Sequence, residues 1–123
     1  MVDHTEYCSE SPEMAGKQAS LQICERTAAL FRVLGDLNRL RLLSLLCHRE
    51  MCVSELTEAL QDNLPAISQR LKLLRSEQLV QTRREGKHVF YRLTDRKLAR
   101  LIRNGLAHAE KLRPHSIASH PNP

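Results

Sequence analysis

A mainly α-helical fold carrying one small β-hairpin is what the sequence predicts, on three observations. Apolar residues recur at helical spacing through most of residues 17–76 and again over 95–113. Between them, residues 79–93 switch to a β-branched and aromatic rhythm around Glu85-Gly86. Two short helical patterns, 53–60 and 64–76, are separated only by Gln61-Asp62-Asn63.

The elements follow in order. Residues 1–15 are polar and aperiodic, with His4, Cys8 and Pro12, and are expected to form a tail. A first helix is expected over 17–34, with Leu21, Cys24, Ala28, Phe31 and Leu34 on one face and Gly35 as its cap. The next, over 37–48, is apolar around much of its circumference, which marks it as the central core helix. Residues 49–52 read as a connector. In the helix over 53–60, Val53, Leu56 and Leu60 share a face. Asn63 suits the N-cap of the following helix and Pro65 its first turn, where a missing donor costs nothing. Ile67, Leu71 and Leu74 form that helix's buried stripe, and Ser68, Gln69, Arg70, Lys72 and Arg75 its outer face.

Short helix, three-residue turn and second helix with a polar, cationic outer face describe a helix-turn-helix, whose second helix enters the major groove of DNA. The first of the two helices and its flanks carry acids (Glu50, Glu55, Glu58, Asp62), so the basic groups concentrate on the second. The hairpin after it should place Val89, Tyr91 and Leu93 inward and Arg84, Lys87 and His88 at its tip, as a wing does. A last helix starts at Thr94 or Asp95, carries Leu98, Leu101, Ile102, Leu106 and Ala109 as a stripe, and stops at Pro114. Residues 114–123, rich in Pro and Ser, are expected to form a disordered tail. One domain over 16–113 is therefore expected, and its first and last helices are candidates for a homodimer interface matching a palindromic site.

Composition narrows the function. The formal charge is +5, and residues 64–100 hold ten Lys/Arg against three acids, which points to a polyanion partner. With two Tyr, two Phe and no Trp, a base-stacking platform for single strands is not expected. No apolar run approaches the ~20 residues that span a bilayer. The polar start is unlike a signal peptide, so a cytoplasmic protein with no membrane partner is expected. Four cysteines in a reducing compartment leave metal binding, redox chemistry or burial. No nucleophile–base pair, phosphate loop or carboxylate pair points to an enzyme.

The segments LGDLNRLRLLSLL, EMCVSEL, AISQRLKLLRSEQLV and RREGKHVFYRL, in that order, resemble the ArsR/SmtB family of metal-responsive repressors over roughly residues 29–110. The resemblance implies a winged helix-turn-helix homodimer that represses its operon on double-stranded operator DNA until an effector weakens its grip. Carried over by position, Ser68, Gln69 and Arg70 fall where the family's recognition helix meets base edges. The chemistry agrees, since Gln can pair bidentately with adenine and Arg with guanine. Lys72, Arg75, Arg83, Arg84 and Lys87, with His88 beside them, suit phosphates.

The family's metal sites carry over only in part. On the last helix the ligand positions fall on Asp95, Lys97, His108 and Lys111. Two ammonium groups cannot donate lone pairs, and Glu110 is one residue out of register, so that site is expected to be lost. The second family site begins with a Cys-Val-Cys motif, here Cys52-Val53-Ser54. Cys52 would need Cys8 and Cys24, with His4 as an extra ligand, while Cys47 reads as core. Such a set would suit Zn(II), Cd(II), Pb(II) or, with three thiolates, As(III), acting as effector; DNA binding itself would need no cofactor. Two alternatives stand beside this reading: a thiol-redox or persulfide-responsive repressor of the same fold, and a winged-helix protein–protein module.

Overall fold

The computed structural model describes residues 18–112. They divide into two units, one ending at Asp36 and the other starting at Leu37. The first consists of helix α1 (Leu21–Leu34). Its start lies later than the periodicity predicts, because Ser20 caps it: the Oγ accepts from the Ile23 N–H at 3.1 Å. At its end Gly35 has an ordinary negative φ of −80°. Glycine is suited there by close approach, since a Cβ would lie 3.0 Å from the Phe31 carbonyl oxygen. No residue of α1 is buried, and Leu21, Cys24 and Phe31 of the expected stripe are exposed.

The second unit runs α2 (Leu37–Leu46), β1 (Met51–Cys52), α3 (Val53–Leu60), α4 (Leu64–Ser76), β2 (Val80–Glu85), β3 (His88–Leu93) and α5 (Arg96–Glu110). Its core joins Leu42, Leu43 and Leu46 of α2 to Leu56 and Leu60 of α3, Ile67, Leu71 and Leu74 of α4, and Leu98 and Ile102 of α5. Burying each leucine contributes about 1.5–3 kcal/mol before conformational entropy is set against it. The central role expected of α2 and the stripe expected on α4 are both present.

Three details differ from the expectations. The connector contains strand β1, which pairs with β3 (Met51 with Tyr91, Cys52 with Phe90) and makes the hairpin a three-stranded antiparallel sheet in the order β1-β3-β2. Two residues are too few for a period-2 pattern to register in the sequence. The hairpin turn is Gly86-Lys87, one residue later than expected, because Glu85 pairs with His88; Gly86 takes φ 63°. Helix α5 buries Leu98 and Ile102 but exposes Leu101, Leu106 and Ala109. Asp95 caps it, its Oδ1 accepting from the Leu98 N–H at 2.8 Å. The expected stop at Pro114 lies outside the described residues, and α5 ends at Glu110.

Candidate nucleic-acid interface and effector cysteines

Local chemistry fixes the angle between α3 and α4. Gln61 takes a left-handed conformation (φ 55°, ψ 46°) that ends α3. The Asn63 Oδ1 accepts from the Ala66 N–H at 2.9 Å, and Pro65 occupies the first turn of α4. Asp62 ties the turn to the helix it introduces. Its Oδ1 accepts from the Asn63 N–H at 2.8 Å and its Oδ2 from Arg70 Nη1 at 2.8 Å. The Arg70 hydrogen bond, then that of Asn63, holds the Asp62 carboxyl below the usual carboxylate range.

Ile67, Leu71 and Leu74 anchor α4, which leaves Ser68, Gln69, Lys72 and Arg75 exposed. Ser68, Lys72 and Arg75 share a groove of about 480 Å³ with Tyr91 of the sheet. Arg70 is turned back onto the turn and is only about a fifth exposed. Tyr91 was expected to point inward and lines this groove instead of disappearing into the core.

On the hairpin, Arg84, Lys87 and His88 are exposed beside the turn, and the His88 ring lies 6.2 Å from that of Phe90. Arg83, though exposed, is engaged by carboxylates of the chain itself. Its Nε and Nη2 reach the Glu50 carboxylate at 2.7–3.1 Å, its Nη1 reaches Glu85 at 3.2 Å, and the guanidinium lies 4.9 Å over the Phe90 ring. Glu50 is pulled below its ordinary pKa, chiefly by the Arg83 hydrogen bond, and Arg83 is raised in return. This clamp joins residues 33 apart in sequence, and no local pattern announces it.

The thiols fall into different settings. Cys52, half-exposed, is the N-cap of α3. Its N–H donates to Glu55 Oε1 at 3.0 Å, and its Sγ lies 3.2 Å from Ser54 Oγ. That backbone bond is the main cause of the lowered Glu55 pKa. Cys47 is buried, with Sγ 3.8 Å from the Ala99 carbonyl oxygen, and burial pushes its thiol up against the opposing charge of Arg103. Cys24 is exposed on α1. Cys8 and His4 lie outside the described residues.

Among the described residues no three His, Cys, Asp or Glu stand close enough to hold a metal ion. Asp95 caps the start of α5 while His108 lies in its last turn, some 20 Å away at 1.5 Å per residue, so within one chain they form no site. Lys97 and Lys111 are exposed on the same helix.

Comparison with known proteins agrees with this architecture. Residues 36–82 match the model described as "Bacterial regulatory protein, arsR family". The chain is 38% identical over 92 residues to a transcriptional repressor SmtB homolog of Synechocystis sp., covering 75% of this chain and 70% of that protein. Among solved structures, the AntR antimony-specific transcriptional repressor superposes with a TM-score of 0.71 at 28% identity, covering 85% of this chain and 96% of that one. The homodimeric winged helix-turn-helix DNA-binding domain Mb0332 of Mycobacterium bovis superposes with a TM-score of 0.69 at 29% identity, covering 81% and 94%. No described helix is long and apolar enough to cross a membrane. The chain therefore belongs to the arsR family, and is a DNA-binding transcriptional regulator of the winged helix-turn-helix fold.

Proposed function

We propose that the protein is a homodimeric repressor that holds operator DNA and releases it when a thiophilic metal ion binds. The observation that carries the DNA half is the exposed row Ser68, Gln69, Lys72 and Arg75 on a helix anchored by its opposite face. In this reading Ser68 and Gln69 meet base edges. Arg70 presents its remaining donors to a guanine while Asp62 orients it. Lys72, Arg75, Arg84 and Lys87 take phosphates, with His88 at the wing tip beside them. Arg83 positions the wing through Glu50 and lends its charge from there. Leu101 and Leu106, each more than a third exposed on α5, supply an apolar face for a second copy. Such a dimer would set two α4 helices about 34 Å apart, one turn of DNA.

For the effector half, Cys52 is the central residue, because its backbone caps the first helix of the helix-turn-helix. Cys8 and Cys24, with His4 as an extra ligand, would complete a set suited to Zn(II), Cd(II), Pb(II) or As(III). Drawn toward such ligands, Cys52 would loosen its bond to Glu55 and shift α3 against α4. The related AntR repressor, described as antimony-specific, supports a thiophilic effector. A second reading, a thiol switch, is favoured by the accessibility of Cys24 and Cys52.

A Cd(II) titration of the reduced full chain separates the two. A saturable thiolate-to-metal absorption band, diminished in Cys52→Ser and Cys8→Ser and accompanied by operator release, is the expected result. Absence of a band, with release by a persulfide donor instead, would assign the signal to thiol chemistry.

A further inference from the structure

A cleft of about 570 Å³ opens where the C-terminal end of α2 and the connector to β1 meet the junction of β3 with α5. Five arginines line it: Arg49, Arg92, Arg96, Arg100 and Arg103. Arg96 and Arg100 lie exposed on the first turns of α5, whose N-terminal end adds a positive dipole.

Two acids, Glu50 and Asp95, share this lining with the five arginines, which leaves the wall cationic, and both are already engaged. Glu50 is bound by Arg83, and Asp95 caps α5. Arg49 is paired with Glu55 at 3.2 Å. Arg103 donates to the Cys47 carbonyl oxygen at 2.6 Å and Arg92 to the Gln81 side-chain oxygen at 3.3 Å. Those acceptors are neutral, so the bonds orient the guanidinium groups without cancelling their charge. Like charges gathered on one concave wall repel, and a multivalent anion relieves that repulsion. Guanidinium forks match phosphate oxygens in pairs, which lysines would not.

The cleft is also set apart from the wing tip. Strand β3 runs from His88 beside the turn to Leu93 at the cleft, roughly 17 Å at ~3.3 Å per residue.

The geometry points to this cleft as a binding site for a small phosphate-bearing polyanion, separate from the DNA-contacting face. Its occupant bridges the end of α2 and the start of α5, and stabilises the fold by mass action.

Inorganic pyrophosphate is the probe, titrated into the full chain at constant ionic strength and followed by backbone amide NMR and thermal unfolding. Saturable shifts are expected at residues 47–50 and 92–103, with a rise in melting temperature. Affinity should fall at least tenfold in the Arg96→Gln/Arg100→Gln double variant and stay unchanged in Lys72→Gln/Arg75→Gln. Shifts confined to α4 and the wing, a response reproduced by sodium chloride, or equal affinity in the Arg96/Arg100 variant would each overturn the proposal.

A DNA arm separates the two sources of phosphate. If these arginines served operator phosphates, the double variant would lower the salt slope of duplex binding by about 1.8, at ~0.9 per contact. An unchanged slope supports a free anion, and a lowered one overturns it.

Discussion

Arg70 and Arg83 are cations on elements expected to face DNA, one assigned to base edges and the other to phosphates, and the structure gives each a carboxylate partner. For Arg70 the partner, Asp62, sits in the turn, so base reading and turn bracing can be separated. Arg70→Ala should cost roughly 1–3 kcal/mol on operator DNA and relax specificity at one position. Asp62→Asn should weaken both duplexes by loosening the turn, and operator DNA further because Arg70 loses the carboxylate that orients it. Competition binding on both duplexes measures this, and equal weakening by Arg70→Ala would remove it from base reading. For Arg83 the partner is Glu50, whose depressed pKa sets a pH dependence. A carboxylate with a lowered folded-state pKa contributes stability above its unfolded value, near 4.3 for Glu, and loses it as pH falls through the folded value. The wild type should therefore melt higher than Glu50→Gln at pH 7, and the gap should close below about pH 4. The same sign holds for Asp62, with the unfolded value near 3.9.

Among the elements, the end of α4 matters most because it hands the chain to the wing. Gln78 takes a left-handed φ of 62° there. The Leu79 N–H returns to the Leu74 carbonyl oxygen at 2.9 Å and the Gln78 N–H to that of Arg75 at 3.0 Å, a Schellman arrangement. A non-glycine residue in this conformation costs about 1 kcal/mol, so Gln78→Gly should raise stability by up to that amount in urea unfolding. At the other end of α4, Asn63→Ala removes the cap and should cost about 1 kcal/mol. The helices of the second unit were legible in the sequence because apolar spacing and caps are local signals. Strand β1 was not, since it exists only through its pairing with β3. The displaced turn has the same origin: Glu85 and His88 are a cross-strand pair, and register belongs to two strands at once.

For the whole molecule, the proposed dimer and its charge determine DNA binding together. Leu101→Glu should drive the protein toward monomer in sedimentation and abolish cooperative operator binding while leaving the monomer folded, because Leu101 is already a third exposed. Each of Lys72, Arg75, Arg84 and Lys87 that touches a phosphate should lower the salt slope by about 0.9 when replaced by Gln. Of the candidate ligands, only Cys24 and Cys52 lie among the described residues, and Cys52 alone stands in the helix-turn-helix. The role proposed for it rests on the family's motif.

The sequence by itself determined the helical order, the Asn63 cap of the helix-turn-helix, the buried stripe of α4 and the cationic face opposite it. Each follows from periodicity or from a side chain acting within a few residues of its own backbone. Tertiary structure alone decided which cations are engaged by carboxylates and which stay exposed. Glu50 meets Arg83 across 33 residues, and five arginines from α2's flank, β3 and α5 line one cleft. Pairing of charges depends on distance in space, and residue spacing along the chain does not encode it.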